Sequence, residues 1–316
     1  MDDRTARPQA PAIPASASRR LLAAFLAGRN PRTLAAYRAD VQHFAAFLGA
    51  ATVEDAARAL LAGGQGRANE TALRYRAHLQ ERGLSPATVN RRLAAVRSLV
   101  KVARVIGLVP WKLDVEPLKA EPYRDTRGPG REGFRRMLML LEGRDDARAR
   151  RARALLSLGY DLALRRGEVG ALNVADVDLE AGTVAVLGKG RATKQRMTLP
   201  EPTRATLADW LEARGAEPGP LFLNFDRAGK GGRLTPASIN RIVHALGRAA
   251  GLRVTYHGLR HASITRALDL SGGNVRAVQR HSRHQDVRTV GRYDDERRDL
   301  AGEIARKVAE DAREDM

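Results

Sequence analysis

Prolines and glycines crowd into residues 107–130 and divide the chain into two parts. Four prolines and three glycines fall within this stretch of the 316-residue chain. Proline interrupts helices and central strands, and glycine favours turns, so no long regular element can pass through the segment. A chain of this length accommodates two domains, and we expect them at 19–110 and 131–316, joined by a linker at 111–130. Residues 1–18, which are rich in Ala, Pro and Ser, are expected to form a flexible arm.

The part before the linker has the periodicity of helices. Asn30-Pro31 and Ser85-Pro86 each pair an N-cap residue with a proline at the first helical position. Apolar residues recur at three- and four-residue spacing after both sites, and a further helix is expected over about 69–82. The two apolar faces comprise Leu34, Tyr37, Val41, Phe44 and Leu48, and Val89, Leu93, Val96 and Val100. The first domain is therefore predicted to be all-helical.

The part after the linker mixes the two periodicities. Residues 183–187 alternate as a strand, and 195–199 can pair back across the turn Gly188-Lys189-Gly190. Helical spacing covers the remaining segments, at about 131–142, 146–160, 202–214, 235–246, 257–268, 274–280 and 297–312. The expected fold class is mainly α with one small antiparallel sheet (α+β).

Charge indicates the kind of partner. The chain carries 55 Lys and Arg against 36 Asp and Glu, a net charge of +19, which favours a polyanion and above all nucleic acid. Aromatic residues make up 4%, which argues against reading single strands by base stacking. Arg91, Arg92, Arg97 and Lys101 lie off the apolar face of their predicted helix. They form either a solvated basic face or a set of contacts to DNA phosphates.

Several kinds of chemistry are excluded by what the sequence lacks. The chain has no cysteine, hence no disulfide, thiolate nucleophile or Cys-based zinc site, which fits the cytoplasm. It has no G-x-x-x-x-G-K-[ST] loop and no G-x-S-x-G elbow, and Gly258 replaces the glutamate that H-E-x-x-H would place between His257 and His261. No apolar run approaches the roughly 20 residues that cross a bilayer. We expect a cytoplasmic protein without metal, cofactor or membrane contact.

A phosphodiester can be cleaved without a metal if the protein supplies four groups. These are a nucleophile, positive donors for the phosphate oxygens, an acid for the leaving 5′-oxygen and an acceptor for the nucleophile's proton. Arginine suits the oxygens because its forked donors bind phosphate bidentately and stay charged. A tyrosine nucleophile forms a phosphotyrosyl bond that keeps the energy of the phosphodiester, so religation needs no cofactor.

Four motifs in the second part supply these groups. They are Leu164-Arg165-Arg166-Gly167-Glu168-Val169, Lys189 in its Gly-Lys-Gly turn, His257-Gly258-Leu259-Arg260-His261, and His284 followed nine residues later by Tyr293. In this order and at these spacings they resemble the motifs of tyrosine recombinases over about residues 130–300. The first part resembles, by its helix pattern, the core-binding domain of phage-integrase-type and Xer-type recombinases.

The resemblance implies a role for each matched residue. Arg165 and Arg260 would clamp the scissile phosphate, and Lys189 would protonate the leaving 5′-oxygen. Tyr293 would attack the phosphorus and leave a 3′-phosphotyrosyl link with a free 5′-hydroxyl. His257 would help take the tyrosine proton.

Two further residues match the family's pattern beside this set. His284 would hydrogen-bond the phosphate. Glu168 matches an acidic position that supports the first arginine, although a carboxylate in the first turn of a helix is also favoured by the helix dipole.

This chain departs from the family's pattern at two places. Ala163 stands where a glycine often precedes the Leu-Arg pair, a change we expect to be tolerated. Ser282-Arg283-His284 replaces the usual Leu-Gly-His, so His281 competes with His284 for the role of the second histidine. We prefer His284 for its spacing to Tyr293.

Tyr256, which precedes His257, is a second candidate nucleophile. We prefer Tyr293 and expect Tyr256 to be a core or site-wall residue.

The resemblance also implies an assembly. Four protomers would synapse two double-stranded DNA sites and exchange strands through a Holliday junction, as a homotetramer or together with a partner recombinase. The last predicted helix carries Leu300, Ile304 and Val308 and could dock on a neighbouring protomer or on its own domain. The rival functions are a type IB topoisomerase, a non-catalytic DNA-binding regulator and a basic RNA-binding or scaffolding protein.

Overall fold

The chain forms two compact units, residues 1–121 and 122–316. The computed structural model describes residues 14–28, 31–119, 128–188, 190–226, 229–291, 293 and 300–313. Within these residues the predicted fold class is confirmed, because helices surround one three-stranded antiparallel sheet. In the described part, no helix is both long and apolar enough to cross a membrane.

The first unit is helical, as predicted. Its helices are α1 (Ala15–Leu26), α2 (Pro31–Phe47), α3 (Val53–Ala62), α4 (Gly64–Glu81) and α5 (Pro86–Val105). α1 begins inside the stretch that we expected to be a flexible arm, so that expectation is wrong for residues 15–18. Helix α3 was not predicted. Thr52 caps it by accepting the backbone N–H of Asp55, and its buried face consists of Ala56, Ala57, Leu60 and Leu61.

The predicted helix start at Ser85-Pro86 is confirmed. The Ser85 hydroxyl accepts the backbone N–H of Thr88, and Pro86 is the first residue of α5. All four residues of the predicted apolar face of α5 are buried, namely Val89, Leu93, Val96 and Val100. Helix α5 therefore contributes one continuous apolar stripe to the core of the first unit.

The chain after α5 packs back onto the helices of its own unit. Leu113 and Val115 are buried in the helical core. The Asn90 side chain accepts the backbone N–H of Leu118 and donates to its carbonyl, both at 2.8 Å. This first half of the predicted linker is thus ordered packing, and residues 120–127 lie outside the described part.

The second unit combines the sheet with the remaining helices. Its helices are α6 (Gly130–Met139), α7 (Ala147–Tyr160), α8 (Arg166–Ala171), α9 (Glu201–Arg214), α10 (Pro236–Ala249), α11 (Tyr256–Leu270), α12 (Val275–Ser282), α13 (Arg288–Gly291) and α14 (Leu300–Asp311). The strands β1 (Val177–Asp178), β2 (Thr183–Leu187) and β3 (Lys194–Thr198) lie in chain order. The predicted hairpin is confirmed, with Val184 opposite Met197 and Leu187 opposite Lys194.

Buried residues from several elements fix the start of α11. The ring of Tyr256 lies in the main core of the unit, close against Gly159 of α7. Its backbone N–H donates to the Asn240 side chain of α10 at 3.0 Å. The Thr255 hydroxyl caps the helix by accepting the N–H of Gly258 at 3.1 Å. The residues of the first two turns of α11 are therefore held from two sides.

Candidate active site

Arg165 and Glu168 form the first part of the site, at the start of α8. Arg165 is the N-cap of this helix, and Glu168 lies in its first turn. The Glu168 carboxylate accepts the backbone N–H of Arg165 and its Nη1, each at 2.8 Å. Burial alone would raise the pKa of Glu168, but the charge of Arg283 and the hydrogen bonds from Arg165 lower it below its usual value. Glu168 is therefore an anion that fixes Arg165 in place.

Arg260 lies beneath the site on α11 and is 1% exposed. Its guanidinium donates to the carbonyl of Ala163, to the carbonyl of Ser282 at 2.6 Å and to Nε2 of His284 at 3.2 Å. Burial and the nearby charge of Arg165 lower the pKa of Arg260 to about 10, so it stays charged at neutral pH. Arg260 and Arg165 are thus held close together despite the repulsion between their charges. Such a site is suited to binding an anion.

His284 follows α12 and contacts Arg260 directly. Because arginine can only donate, Nε2 of His284 accepts from Arg260. Burial, followed by the charges of Arg260 and Arg165, lowers the pKa of His284 to about 4. The neutral ring therefore carries its proton on Nδ1, which lies 2.8 Å from the Ser282 hydroxyl and donates to it.

Tyr293 lies against the same histidine. It is 7% exposed, and its backbone N–H donates to the carbonyl of Val290 at 2.9 Å. Its ring centroid lies 5.5 Å from that of His284 and 4.6 Å from that of His261. The spacing that we read from the sequence thus corresponds to a real approach of Tyr293 to His284. The contact with His261 was not predicted.

His257 stands at the surface of the unit on the first turn of α11. Desolvation by its surroundings and the charges of Arg260 and Arg165 lower its pKa. It is therefore a neutral imidazole at pH 7, able to accept a proton, and it lies within the electrostatic reach of both arginines.

Lys189 lies outside the described residues, and the structure shows only its neighbours in the sequence. Gly188 and Arg191 line a cleft of about 250 Å³, together with Arg165 and His284. The turn between β2 and β3 therefore opens onto the same cleft as the first arginine.

The two competing candidates occupy other environments. Tyr256 is fully buried, and its hydroxyl has no hydrogen-bond partner among the described residues. Burial raises its pKa far above the usual value, which makes it a poor nucleophile. His281 lies 3.1 Å from the Ser263 hydroxyl through Nε2, whereas His284 contacts Arg260.

The sequence analysis missed one cation of this site. Arg283 is 8% exposed and donates through Nη2 to Glu168 at 2.8 Å. Its side chain also reaches the carbonyls of Leu162 and Ala163. The departure of Ser282-Arg283-His284 from the usual Leu-Gly-His was the signal that could have identified it.

The four basic candidates of the first unit are not equivalent. Arg91 is ion-paired with Asp40, which is 3% exposed. Arg92 lies beside Tyr75, and its Nε and Nη1 have no hydrogen-bond partner among the described residues. Lys101 is exposed, and Arg97 is half-buried.

In the described part of the chain, no three His, Asp or Glu residues are grouped so that they could hold a metal ion. The positive charge of the site is carried by Arg165, Arg260 and Arg283. The arrangement can bind a phosphate between Arg165 and Arg260 and present a tyrosine and neutral histidines beside it.

Comparison with known proteins finds matches to both parts of the chain. The model of the phage integrase family matches residues 134–299, and that of the phage integrase N-terminal SAM-like domain matches 19–105. A tyrosine recombinase of Synechocystis sp. is 40% identical over 75% of this chain and 77% of its own length. The tyrosine recombinase XerC of Pelobacter propionicus is 32% identical over 84% of each chain.

Solved structures share the fold. A lambda integrase fragment, crystallised as a dimer on a core site, superposes with a TM-score of 0.66 at 15% identity, covering 89% of this chain and 94% of its own. The recombinase XerH on its difH substrate gives a TM-score of 0.65 at 20% identity, covering 86% of this chain and 79% of its own. With its catalytic-domain match and its relatives above 30% identity, the chain belongs to the phage integrase family of tyrosine recombinases.

Proposed function

We propose that this chain is a site-specific DNA recombinase that cleaves and rejoins duplex DNA through a 3′-phosphotyrosyl intermediate at Tyr293. One observation carries the proposal: Arg260, buried on α11, contacts His284, and the ring of His284 lies beside Tyr293. A tyrosine, a neutral histidine and a fixed cation thus meet where Arg165 adds a second positive charge. Relatives named tyrosine recombinases support the same activity.

Arg165 and Arg260 are proposed to clamp the scissile phosphate. In the pentacoordinate transition state, negative charge grows on the oxygens that do not leave, and fixed donors stabilise it without reorganisation. Both arginines are held by acceptors of the protein, Arg165 by Glu168 and Arg260 by two backbone carbonyls. The charge of a phosphodiester between them would also offset their repulsion, so binding and catalysis use the same groups.

Two groups are proposed to move protons. His257, neutral at pH 7, would accept the proton of the Tyr293 hydroxyl as oxygen attacks phosphorus. Lys189, which follows Gly188 in the sequence, would give a proton to the leaving 5′-oxygen. Religation reverses both transfers, because the 5′-hydroxyl then attacks and Tyr293 leaves.

His284 is proposed to change tautomer and to donate a hydrogen bond to the phosphate. Without DNA, Nε2 accepts from Arg260 and Nδ1–H faces the Ser282 hydroxyl. When a phosphate oxygen takes the Arg260 donor, a proton on Nε2 can donate to that phosphate. The Ser282 hydroxyl can then donate to Nδ1, since a hydroxyl both donates and accepts.

The partner and the assembly are further parts of the proposal. Double-stranded DNA is the expected partner, supported by the net charge of +19 and by the two arginines of the site, Arg165 and Arg260. The helical residues 19–110, with the following residues that pack on them, and the residues from 131 onward would act as separate DNA-binding and catalytic domains. A tetramer on two synapsed sites in the cytoplasm, formed by this chain alone or together with a partner recombinase, would complete strand exchange.

A covalent adduct tests the proposal. The full chain is incubated, without metal or ATP, with a pool of nicked duplexes of randomised sequence, in which cleavage releases a short fragment and traps the adduct. We expect a denaturant-stable protein–DNA band from the wild type and none from Tyr293→Phe, with Tyr256→Phe as the matched control that keeps it. A band of wild-type intensity from Tyr293→Phe would contradict the proposal.

A further inference from the structure

Arg283, the residue directly before His284, has an unusual backbone conformation. Its φ is 56°, and Ala163 has a φ of 48°; these two are the non-glycine residues with positive φ in the described part of the chain. Both stand where the family's pattern has glycine. The left-handed conformation is unfavourable for residues with a Cβ atom, so the Arg283 side chain must make compensating contacts.

The contacts of Arg283 lead to both arginines of the phosphate clamp. Its Nη2 donates to one oxygen of Glu168 at 2.8 Å, while the other oxygen of Glu168 accepts Nη1 of Arg165 at 2.8 Å. Its Nη2 also lies 3.4 Å from the carbonyl oxygen of Ala163, which accepts Nη1 of Arg260. Each clamping arginine thus shares an acceptor with Arg283.

The position of Arg283 in the site adds to these contacts. It lines the same cleft as Arg165 and His284. Its side chain is 4% exposed, as is that of Glu168, so the pair is shielded from water and holds one geometry. A buried ion pair that served only stability could lie anywhere in the core, whereas this one joins the start of α8 to the residue before His284.

We propose that Arg283 is a positioning residue for strand cleavage, which sets Arg165 through Glu168 and Arg260 through the carbonyl of Ala163. The inference rests on the proposed function and adds a third arginine that does not touch the phosphate. Its loss should lower the rate of cleavage and leave the affinity for DNA nearly unchanged, because the groups that touch DNA remain.

Single-turnover cleavage of a duplex selected by the wild-type chain tests the role. Arg283→Gly suits a φ of 56° and removes the side chain, and Arg283→Lys keeps the charge but loses the fork. We expect Arg283→Gly to cleave at least about tenfold more slowly at saturating protein, with Arg283→Lys between it and the wild type. The dissociation constant for DNA should change by less than about twofold.

Two further measurements separate positioning from plain stability. Glu168→Gln combined with Arg283→Gly should cleave faster than the product of the two single effects predicts, since the two variants share the contact between Arg283 and Glu168. The Arg283 charge also helps to lower the pKa of His284, after burial, Arg260 and Arg165. Its removal should move the acid limb of the pH–rate profile to higher pH when the rate at each pH is divided by the folded fraction measured at that pH, a correction that removes the effect of stability alone. Arg204→Gln, which breaks the exposed pair of Arg204 with Glu201, is the matched charge control.

A folded Arg283→Gly that cleaves within about twofold of the wild type overturns the inference. So does a rate loss that only matches its loss of folded protein, or one that Arg204→Gln reproduces. If Arg283→Gly does not fold, a folded Arg283→Lys at the wild-type rate overturns it. A wild type that forms no adduct would defeat the proposed function itself, whereas the outcomes above leave that function standing.

Discussion

Arginine serves two different purposes in the two units of this molecule. In the catalytic unit, Arg260 is 1% exposed and donates to acceptors from segments far apart in the chain. In the helical unit, Arg91 is half exposed and pairs with Asp40, and Lys101 is exposed. Chemistry requires cations at fixed places, and affinity requires only that cations reach the backbone of DNA. Changes to the cations of the helical unit should therefore alter DNA binding or stability, and changes to those of the catalytic unit should alter the rate of cleavage.

The largest effect is expected at Arg260. Arg260→Lys removes the fork that reaches two carbonyls and His284, so the clamp loses its fixed geometry. We expect single-turnover cleavage to fall on the order of 10²- to 10³-fold, the typical cost of removing one donor from a transition-state site. Binding of the same DNA, measured by fluorescence anisotropy, should weaken far less. A loss of affinity as large as the loss of rate would erase the distinction between the two units.

Acid should affect the catalytic unit more than the helical unit. Desolvation and nearby arginines lower the pKa of His257, His281 and His284 below the 6.5 of a free histidine, and His43 is the counterpart in the helical unit. Where a folded pKa lies below the unfolded one, the unfolded chain binds more protons, so stability is lost as pH falls through that window.

The window runs from about pH 6.5 down to about 4, the value for His284. We expect the melting temperature of the full chain to drop across it and cleavage to slow in parallel. His284→Gln should show a smaller drop between pH 6.5 and pH 4 than the wild type. An identical drop would mean that His284 is not buried in its neutral form.

Arg91 and Lys101 are a matched pair on α5 that sharpens the comparison. Arg91→Gln leaves the buried Asp40 without its cation, and we expect a loss of about 1–2 kcal/mol in the free energy of unfolding. Lys101→Gln should leave stability unchanged. If Lys101 contacts a phosphate, the slope of log K against log salt should fall by about 0.9.

Urea unfolding and anisotropy titrations at several salt concentrations measure both quantities. Equal stability of the two variants would show that Arg91 is a solvated residue like Lys101.

The smallest effect is expected at Ala163. Its φ of 48° costs roughly 1–2 kcal/mol for a residue with a Cβ atom, whereas its buried methyl group contributes about 0.8 kcal/mol. Ala163→Gly should therefore stabilise the chain by less than about 1 kcal/mol, in line with the tolerance expected from the sequence. Thermal unfolding checks this, and a clear loss of stability would mean that the methyl packing outweighs the backbone strain.

Local signals predicted most of the fold. Ser85-Pro86 located the start of α5 because a cap and a proline act within one turn. The hairpin of β2 and β3 followed from alternation across a glycine turn. Helix α3 was missed because it is only 10 residues long, so fewer than three turns repeat its apolar face.

The site was predictable as a set of motifs and not as a network. The spacing of His284 and Tyr293 could be read directly, since nine residues lie within one local segment. Arg283 and Glu168 are 115 residues apart, and no local pattern reports a pair at that distance. The same reason hid the pairing of Arg91 with Asp40, 51 residues away. Burial, which no motif shows, separated Tyr256 from Tyr293 as candidates for the nucleophile.

Identification of the residue that is covalently linked to DNA is the most direct test of the central claim. A trapped adduct can be digested with trypsin and nuclease, and the peptide that retains a nucleotide remnant identified by mass spectrometry. Trypsin cuts after Arg292 and Arg297, so Tyr293 falls in the short peptide 293–297, whereas Tyr256 falls in 254–260. The account predicts the remnant on Tyr293. A remnant on Tyr256, or on a serine elsewhere, would contradict it.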